Sequence, residues 1–291
     1  MTSKEKDTLT VALIQMSMAD DPRSNLDKAI RRIGEAASRG ADVVCLPELF
    51  RSRYFCQEED HSKFSLAETI PGDTTAALST AAKKSNAAII GGIFEKRTKG
   101  LYHNSAVVID SGGSIVGTYR KMHIPDDPHY YEKFYFAPGD LGFKVYEAAQ
   151  SKLGILICWD QWYPEAARLT SLLGAQVLFY PSAIGWFDDE KDEAVKMQSA
   201  WETIQRSHGI ANGVFVAAVN RVGKEDHINF WGSSFISGPF GEVLAKASPD
   251  KEEILVANLD LGMIEQTRHG WPFLRDRRID AYGSIASRFI D

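Results

Sequence analysis

Residues 153–180 read LGILICWDQWYPEAARLTSLLGAQVLFY. Leu153–Cys158 is an apolar run of strand length. Pro164–Leu173 has helical spacing with a proline near its first turn, and Gln176–Tyr180 is apolar again. The same alternation extends in both directions. Upstream, Thr10–Gln15, Val43–Leu46 and Ala88–Phe94 read as strands. Leu26, Ile30, Ile33 and Ala37 recur at helical spacing before Gly40, and Ala76–Ser85 is also helical. Ser105–Asp110 and Ile115–Arg120 flank Ser-Gly-Gly and predict a hairpin. Downstream, Glu193–Asn212 is a long helix closed by Gly213, and Val214–Val219 is a strand. Phe230–Ser237, Gly241–Lys246 and Glu253–Leu259 complete the strands, before a short helix over Ile264–His269. Strands and helices mixed this evenly predict an α/β fold with its apolar runs covered on both faces.

The chain has 291 residues, 44% hydrophobic and 25% charged, so it can bury a full core without staples. No linker, repeat or low-complexity tract interrupts it, which predicts a single domain over residues 1–291. The net charge of −6 lacks the footprint of a nucleic-acid binder. No apolar run reaches the roughly eighteen residues of a membrane span, and the polar start has no signal-peptide architecture. The 3 cysteines form no CxxC pair, which argues against a disulfide framework or a zinc ribbon and for a reduced, cytoplasmic setting. Walker A, GxGxxG, HExxH and GxSxG patterns are absent, and the histidines are scattered, so no metal site is expected.

Three apolar runs each lead into a reactive residue: VVCLPE into Glu48, IVGTYRK into Lys121 and GILIC into Cys158. In open α/β sheets ligands sit beyond strand ends, where loops converge. Cys158 is the best-placed thiol, because the helix starting at Pro164 favours a nearby thiolate. Buried filler is the competing reading for any free cysteine. Cys45 lies inside an apolar strand and reads as core, whereas Cys56 in a loop is open to either reading. Glu48 is either a surface carboxylate or a general base with its pKa raised by burial. Lys121 is either a solvated edge charge or an oxyanion-stabilising cation.

With those residues in place, LPELF (46–50), YRKMHIP (119–125), EKFYFAPGD (132–140), GILICWDQWYPEAARL (154–169) and FYPSAIG (179–185) become recognisable. They resemble, in colinear order, the nitrilase or carbon–nitrogen hydrolase superfamily. Further on, VAAVNRVG (216–223), FWGSSFISGPFGE (230–242) and RDRRIDAY (275–282) continue the match. The resemblance implies a four-layer α-β-β-α sandwich, pairing through outer helices into a homodimer or larger assembly, and no metal or organic cofactor. It implies Glu48 as general base, Lys121 as catalytic lysine, Cys158 as nucleophile, and Glu132 as the glutamate that orients the lysine and substrate.

Within the superfamily, HIPDDPHYYEKFYFAPGDLGFKVY and CWDQWYPEAARL are most similar to members that hydrolyse N-carbamoylputrescine, a polyamine precursor. D-amino-acid carbamoylases carry a longer, arginine-bearing loop between the lysine and the second glutamate. Here Met122–Tyr131 is short, lacks arginine, and holds Asp126, Asp127, Tyr130 and Tyr131. Acids and aromatics suit a small substrate with a cationic amine tail. Ordinary turn acids are the alternative. Asp127, His129 and the stretch WFDDEKD (186–192) depart from the group's pattern and bear on substrate length and charge. Tyr54, Asn104, Asp126, Tyr130, Trp159, Ser182 and Ala183 are the expected substrate-binding residues, Ser182 and Ala183 through backbone atoms. The alternatives are a β-ureidopropionase or ω-amidase type of activity, or a non-catalytic scaffold.

Overall fold

Alternation along one strand builds the first two layers. In β1 (Thr8–Gln15), Leu9, Val11 and Leu13 face one packed cluster, while Ala12 and Ile14 face another. The computed structural model describes residues 7–290, leaving aside the side chains of residues 189, 191 and 192. After β1 come β2 (Val43–Cys45), β3 (Ala88–Thr98), β4 (Leu101–Ile109), β5 (Ile115–Arg120), β6 (Val145–Ala148), β7 (Ser151–Ile155) and β8 (Val177–Ser182). Then follow β9 (Gly185–Phe187), β10 (Phe215–Asn220), β11 (Val222–Glu225), β12 (Ile228–Trp231), β13 (Phe235–Ser237), β14 (Val243–Lys246) and β15 (Glu253–Asp260). The helices are α1 (Pro22–Ser38), α2 (Asp73–Ser85), α3 (Glu132–Tyr135), α4 (Pro164–Leu172), α5 (Lys191–Asn212) and α6 (Gly262–Gly270).

One six-stranded sheet runs β15-β1-β2-β3-β4-β5, and a second runs β14-β13-β10-β8-β7-β6. Val11, Val43 and Val108 of the first meet Leu153, Phe179 and Val216 of the second in a shared core. Burying each such side chain contributes about 1.5–3 kcal/mol. Leu26, Ala29 and Ile33 of α1 and Leu78 and Ala82 of α2 cover the outer face of the first sheet. Ala166 and Ala167 of α4 and Trp201 of α5 cover the second. The result is a four-layer α-β-β-α sandwich. Among the described residues no helix is long and apolar enough to cross a membrane.

Helix starts and stops follow local chemistry. Asp21 caps α1 by accepting from the Arg23 and Ser24 amides at 3.1 and 3.0 Å, with Pro22 in the first turn. Several strand boundaries differ from the sequence expectation, and two of them bear on the site and its surroundings. The run Phe230–Ser237 splits into β12 and β13 because Gly232 and Ser233 turn left-handed at φ 50° and 54°. A Cβ at Gly232 would lie 2.7 Å from Gln15 Nε2, so the corner needs glycine. The strand expected to reach Cys158 stops at Ile155, although the Leu156 amide still donates to Phe179 O at 3.0 Å.

Strand direction positions the site. β2 and β3 are parallel, and two antiparallel pairings bring β5 to the same direction. β7, β8 and β10 are likewise mutually parallel. The segments leaving β2, β5, β7 and β8 therefore carry Glu48, Lys121, Cys158 and Ala183. A small antiparallel sheet, β11-β12-β9, stands beside them.

Candidate active site

Lys121 leaves β5 with its side chain wholly buried, and its Nζ donates to Glu48 Oε1 at 2.8 Å and to Glu132 Oε1 and Oε2 at 2.8 and 2.7 Å. Asn104 on β4 donates to the same Glu48 oxygen at 2.7 Å. The Tyr54 hydroxyl donates to Glu132 Oε1 at 2.7 Å. An isolated buried ammonium would be costly, and two carboxylates compensate it. Burial pulls the Lys121 ammonium toward losing its proton, but Glu132 and Glu48 outweigh it and hold its pKa above the ordinary lysine value. Burial also raises the Glu132 carboxyl, against the pull of Lys121. Glu48 Oε2 is buried and has no hydrogen-bond partner. An acceptor left open in a closed cluster is suited to take a proton.

Cys158 opens a tight turn, Cys158–Trp162, with a left-handed φ of 40°. Such backbone in a non-glycine residue costs about 1–3 kcal/mol and persists only where neighbours enforce it. Asp160 does so here. Its fully buried carboxylate accepts from the Ile157 amide at 2.9 Å, the Tyr119 hydroxyl at 2.7 Å and the His123 amide at 3.0 Å. Tyr119 and His123 flank Lys121, while Ile157 and Asp160 flank Cys158. One carboxylate thus ties the lysine segment to the cysteine turn.

The Cys158 thiol points at Ala183 O, 3.8 Å away. Burial pushes its pKa well above the ordinary value, Glu48 adds to the rise, and Lys121 opposes it. The thiolate expected from a neighbouring helix start is therefore not the resting state, because burial and a facing carboxylate outweigh any dipole. Cys45 and Cys56 are also buried, and burial raises both thiols.

A cavity of about 900 Å³ opens over Cys158. Glu132, Tyr130, Trp159, Trp162, Ile184 and Trp231 are on its wall, with Phe187, Glu190 and the His227 hairpin further along. Lys121, Glu48 and Asn104 lie behind Glu132 rather than on that wall. Of the residues expected to bind substrate, Tyr130 and Trp159 line the cavity. Tyr54 and Asn104 instead buttress the charged cluster. Asp126 is exposed and off the wall, whereas its neighbour Asp127, also exposed, lies on the rim of the cavity. The Ser182 side chain is buried away from the cavity and donates to Gln161 Oε1 at 3.1 Å, while Ala183 meets Cys158 through its carbonyl. Among the described residues no group of three or more His, Cys, Asp or Glu is arranged to hold a metal ion.

Sequence reasoning missed a second buried pair. Arg221 donates to Glu48 O at 2.8 Å and pairs with Glu225 at 3.0 Å, and Glu225 accepts the Tyr54 amide at 2.6 Å. Together they fix the turn that carries Glu48. β3 passes so close that a Cβ at Gly92 would lie 2.7 Å from Leu49 N. The stretch VAAVNRVG offered one signal, an arginine directly after an apolar strand.

The sequence model of the carbon–nitrogen hydrolase family matches residues 10–269. The chain is 42% identical over 287 residues to the N-carbamoylputrescine amidase of Solanum lycopersicum, covering 96% of this chain and 95% of that protein. It is 40% identical to the citrullinase of Francisella tularensis, covering 97% and 99%. The crystal structure of a carbon–nitrogen hydrolase from Helicobacter pylori G27 superposes with a TM-score of 0.94 at 47% identity, covering 97% of this chain and all of that one.

Proposed function

The chain belongs to the carbon–nitrogen hydrolase family, and from that premise we propose that it hydrolyses the ureido group of N-carbamoylputrescine to putrescine, CO₂ and ammonia. Several relatives near 40% identity carry that activity in their names. The observation that carries the substrate choice is the cavity wall: among the described residues it holds Asp127, Asp188, Glu190 and Asp226 with aromatic rings, and no lysine or arginine. Such a wall attracts an amine tail by charge and cation–π contact, and gives a carboxylate tail no partner. The citrullinase relative supports a second ureido substrate, citrulline, whose carboxylate meets no lysine or arginine among the described residues of this wall.

In this reading Glu48 takes the thiol proton through Oε2, and Cys158 Sγ bonds to the ureido carbon. The tetrahedral oxyanion is held by Lys121 and the Trp159 backbone N–H. Lys121 frees a proton for it by letting the chelating Glu132 share one N–H. Removing a single donor of this kind typically costs about 3–4 kcal/mol of transition-state stabilisation. Glu48 hands its proton to the departing ammonia, leaving a thiocarbamate on sulfur. A water that gives its proton to Glu48 then cleaves the C–S bond. The thiolate is reprotonated, and the carbamic acid loses CO₂ to leave the amine. Glu132, Tyr54 and Asn104 hold Lys121 in place throughout.

Ammonia release tests this. N-carbamoylputrescine should be turned over in preference to N-carbamoyl-β-alanine and citrulline, and Cys158→Ala should abolish turnover without unfolding the protein. Release from citrulline or the β-alanine derivative alone would keep the mechanism and overturn the substrate. Normal turnover by Cys158→Ala would overturn the mechanism.

The reading includes a cytoplasmic enzyme that self-associates. Leu169, Leu172 and Leu173 around α4, and Trp271, Ile279, Ile285 and Phe289 beyond α6, are 46–81% exposed. Beside them Arg168 Nη1 and Arg268 Nη2 are buried without a partner. Apolar surface beside guanidinium nitrogens without partners among the described residues suits a second copy of the chain.

A further inference from the structure

The acids on the cavity wall are not equivalent. Asp188 is held by Lys224 at 2.5 Å and by Asn229 at 2.7 Å. Asp226 pairs with Arg53 at 2.9 Å. Asp127 is exposed to solvent on the rim loop. Glu190, directly before α5, is half-buried and has no cationic partner among the described residues. Its Oε2 accepts the Phe187 amide at 3.1 Å, which fixes the carboxylate against the wall and leaves Oε1 open. Tyr130 lines the same cavity as Glu190 and Cys158. Tyr130 in turn packs 6.0 Å from Phe187 and receives the Gly185 amide at 3.2 Å.

We infer that Glu190 is the specificity-determining residue of this chain, the counter-ion that selects a substrate with a cationic tail. The inference deepens the ureido-amine reading above and rests on it. A carboxylate already paired with a protein cation gains little from a second one. A half-buried carboxylate with no cationic partner among the described residues gains most, because water screens it less. The rings of Phe187 and Tyr130 add cation–π attraction along the same path.

The test uses the full chain and two substrates that differ only at the tail, N-carbamoylputrescine and butylurea. Their kcat/KM ratio measures the preference for charge. Glu190→Gln keeps an acceptor for the Phe187 amide while removing the charge. It should collapse the ratio about ten- to a hundredfold, as expected for a lost charge-assisted hydrogen bond. The change should be carried mainly by KM for the cationic substrate, and Glu190→Asp should recover part of it. Asp127→Asn, on the solvent-exposed rim, should move the ratio less than Glu190→Gln does. An unchanged ratio in Glu190→Gln, an equal fall for both substrates, or a collapse in Asp127→Asn instead would overturn the assignment. A wild-type protein that turns over neither urea would overturn the ureido reading itself, and this inference with it.

Discussion

At the scale of the residue, Glu48 and Lys121 act in opposite directions on one thiol. Glu48 raises the Cys158 pKa and Lys121 lowers it. Glu48→Gln should therefore move the midpoint of the alkylation-versus-pH curve to lower pH, although the same change removes the general base and costs about 10²–10⁴-fold in turnover. Lys121→Met should move the midpoint the other way. Iodoacetamide labelling of Cys158, followed by mass across pH, reads both shifts, and shifts of the same sign would remove the electrostatic account. Glu48, Lys121 and Cys158 stand out in the sequence because each ends an apolar run, whereas Glu132, which opens EKFYF, is named through the family resemblance. Glu190 was not legible. It sits in DDEKDE (188–193), a stretch whose composition reads as a solvated loop. Only the fold decides which of its acids turns inward. Asp126 and Asp127 pose the same problem, since both are exposed and composition does not say which one borders the cavity.

At the scale of the element, a carboxylate pins the start of β15 to α1. Glu252 accepts from the Ser17 amide at 3.0 Å and pairs with Lys28 at 2.7 Å and Arg32 at 3.3 Å. Against the cost of burial, Lys28 and Ser17 depress its pKa from 4.5 to about 2. A depressed carboxylate adds stability above its unfolded pKa and loses it as the pH falls toward the folded one. Partial exposure screens the pair, so Glu252→Gln should cost about 1 kcal/mol at pH 7. The gap from wild type should narrow as the pH drops from 4.5 toward 2, and urea unfolding at pH 7 and pH 3 would show it. A constant gap would mean that the effect is packing. Elements were legible where periodicity was clean, as in β1, α1 and β8. The β12–β13 corner was hidden because Phe, Trp and Ile on both sides of Gly232 continue a strand-like pattern through it. Left-handed backbone at Ser233 leaves no compositional mark.

At the scale of the whole molecule, the exposed apolar residues cluster rather than scatter. Trp271, Phe273 and Phe240 stack on one another, with ring centroids 5.5 and 6.0 Å apart. Residues 271–290 should therefore lie against another copy of the chain. Light scattering after size exclusion should give a dimer or larger for the full chain, and a smaller species for a chain ending at residue 270. A monomeric full chain would contradict self-association. The layered sandwich was legible from the even alternation of strands and helices, together with the family resemblance. The face proposed for association was not, because it depends on which apolar residues remain uncovered after the layers have packed.

The thiol that burial and Glu48 keep protonated has a consequence for durability. Peroxides and disulfides react with thiolates, and far more slowly with thiols. A nucleophile held in its acid form is therefore a poor target for oxidants in the resting protein. In the proposed mechanism its sulfur becomes reactive only when Glu48 takes the proton. The arrangement that delays the chemical step also shields the sulfur between turnovers.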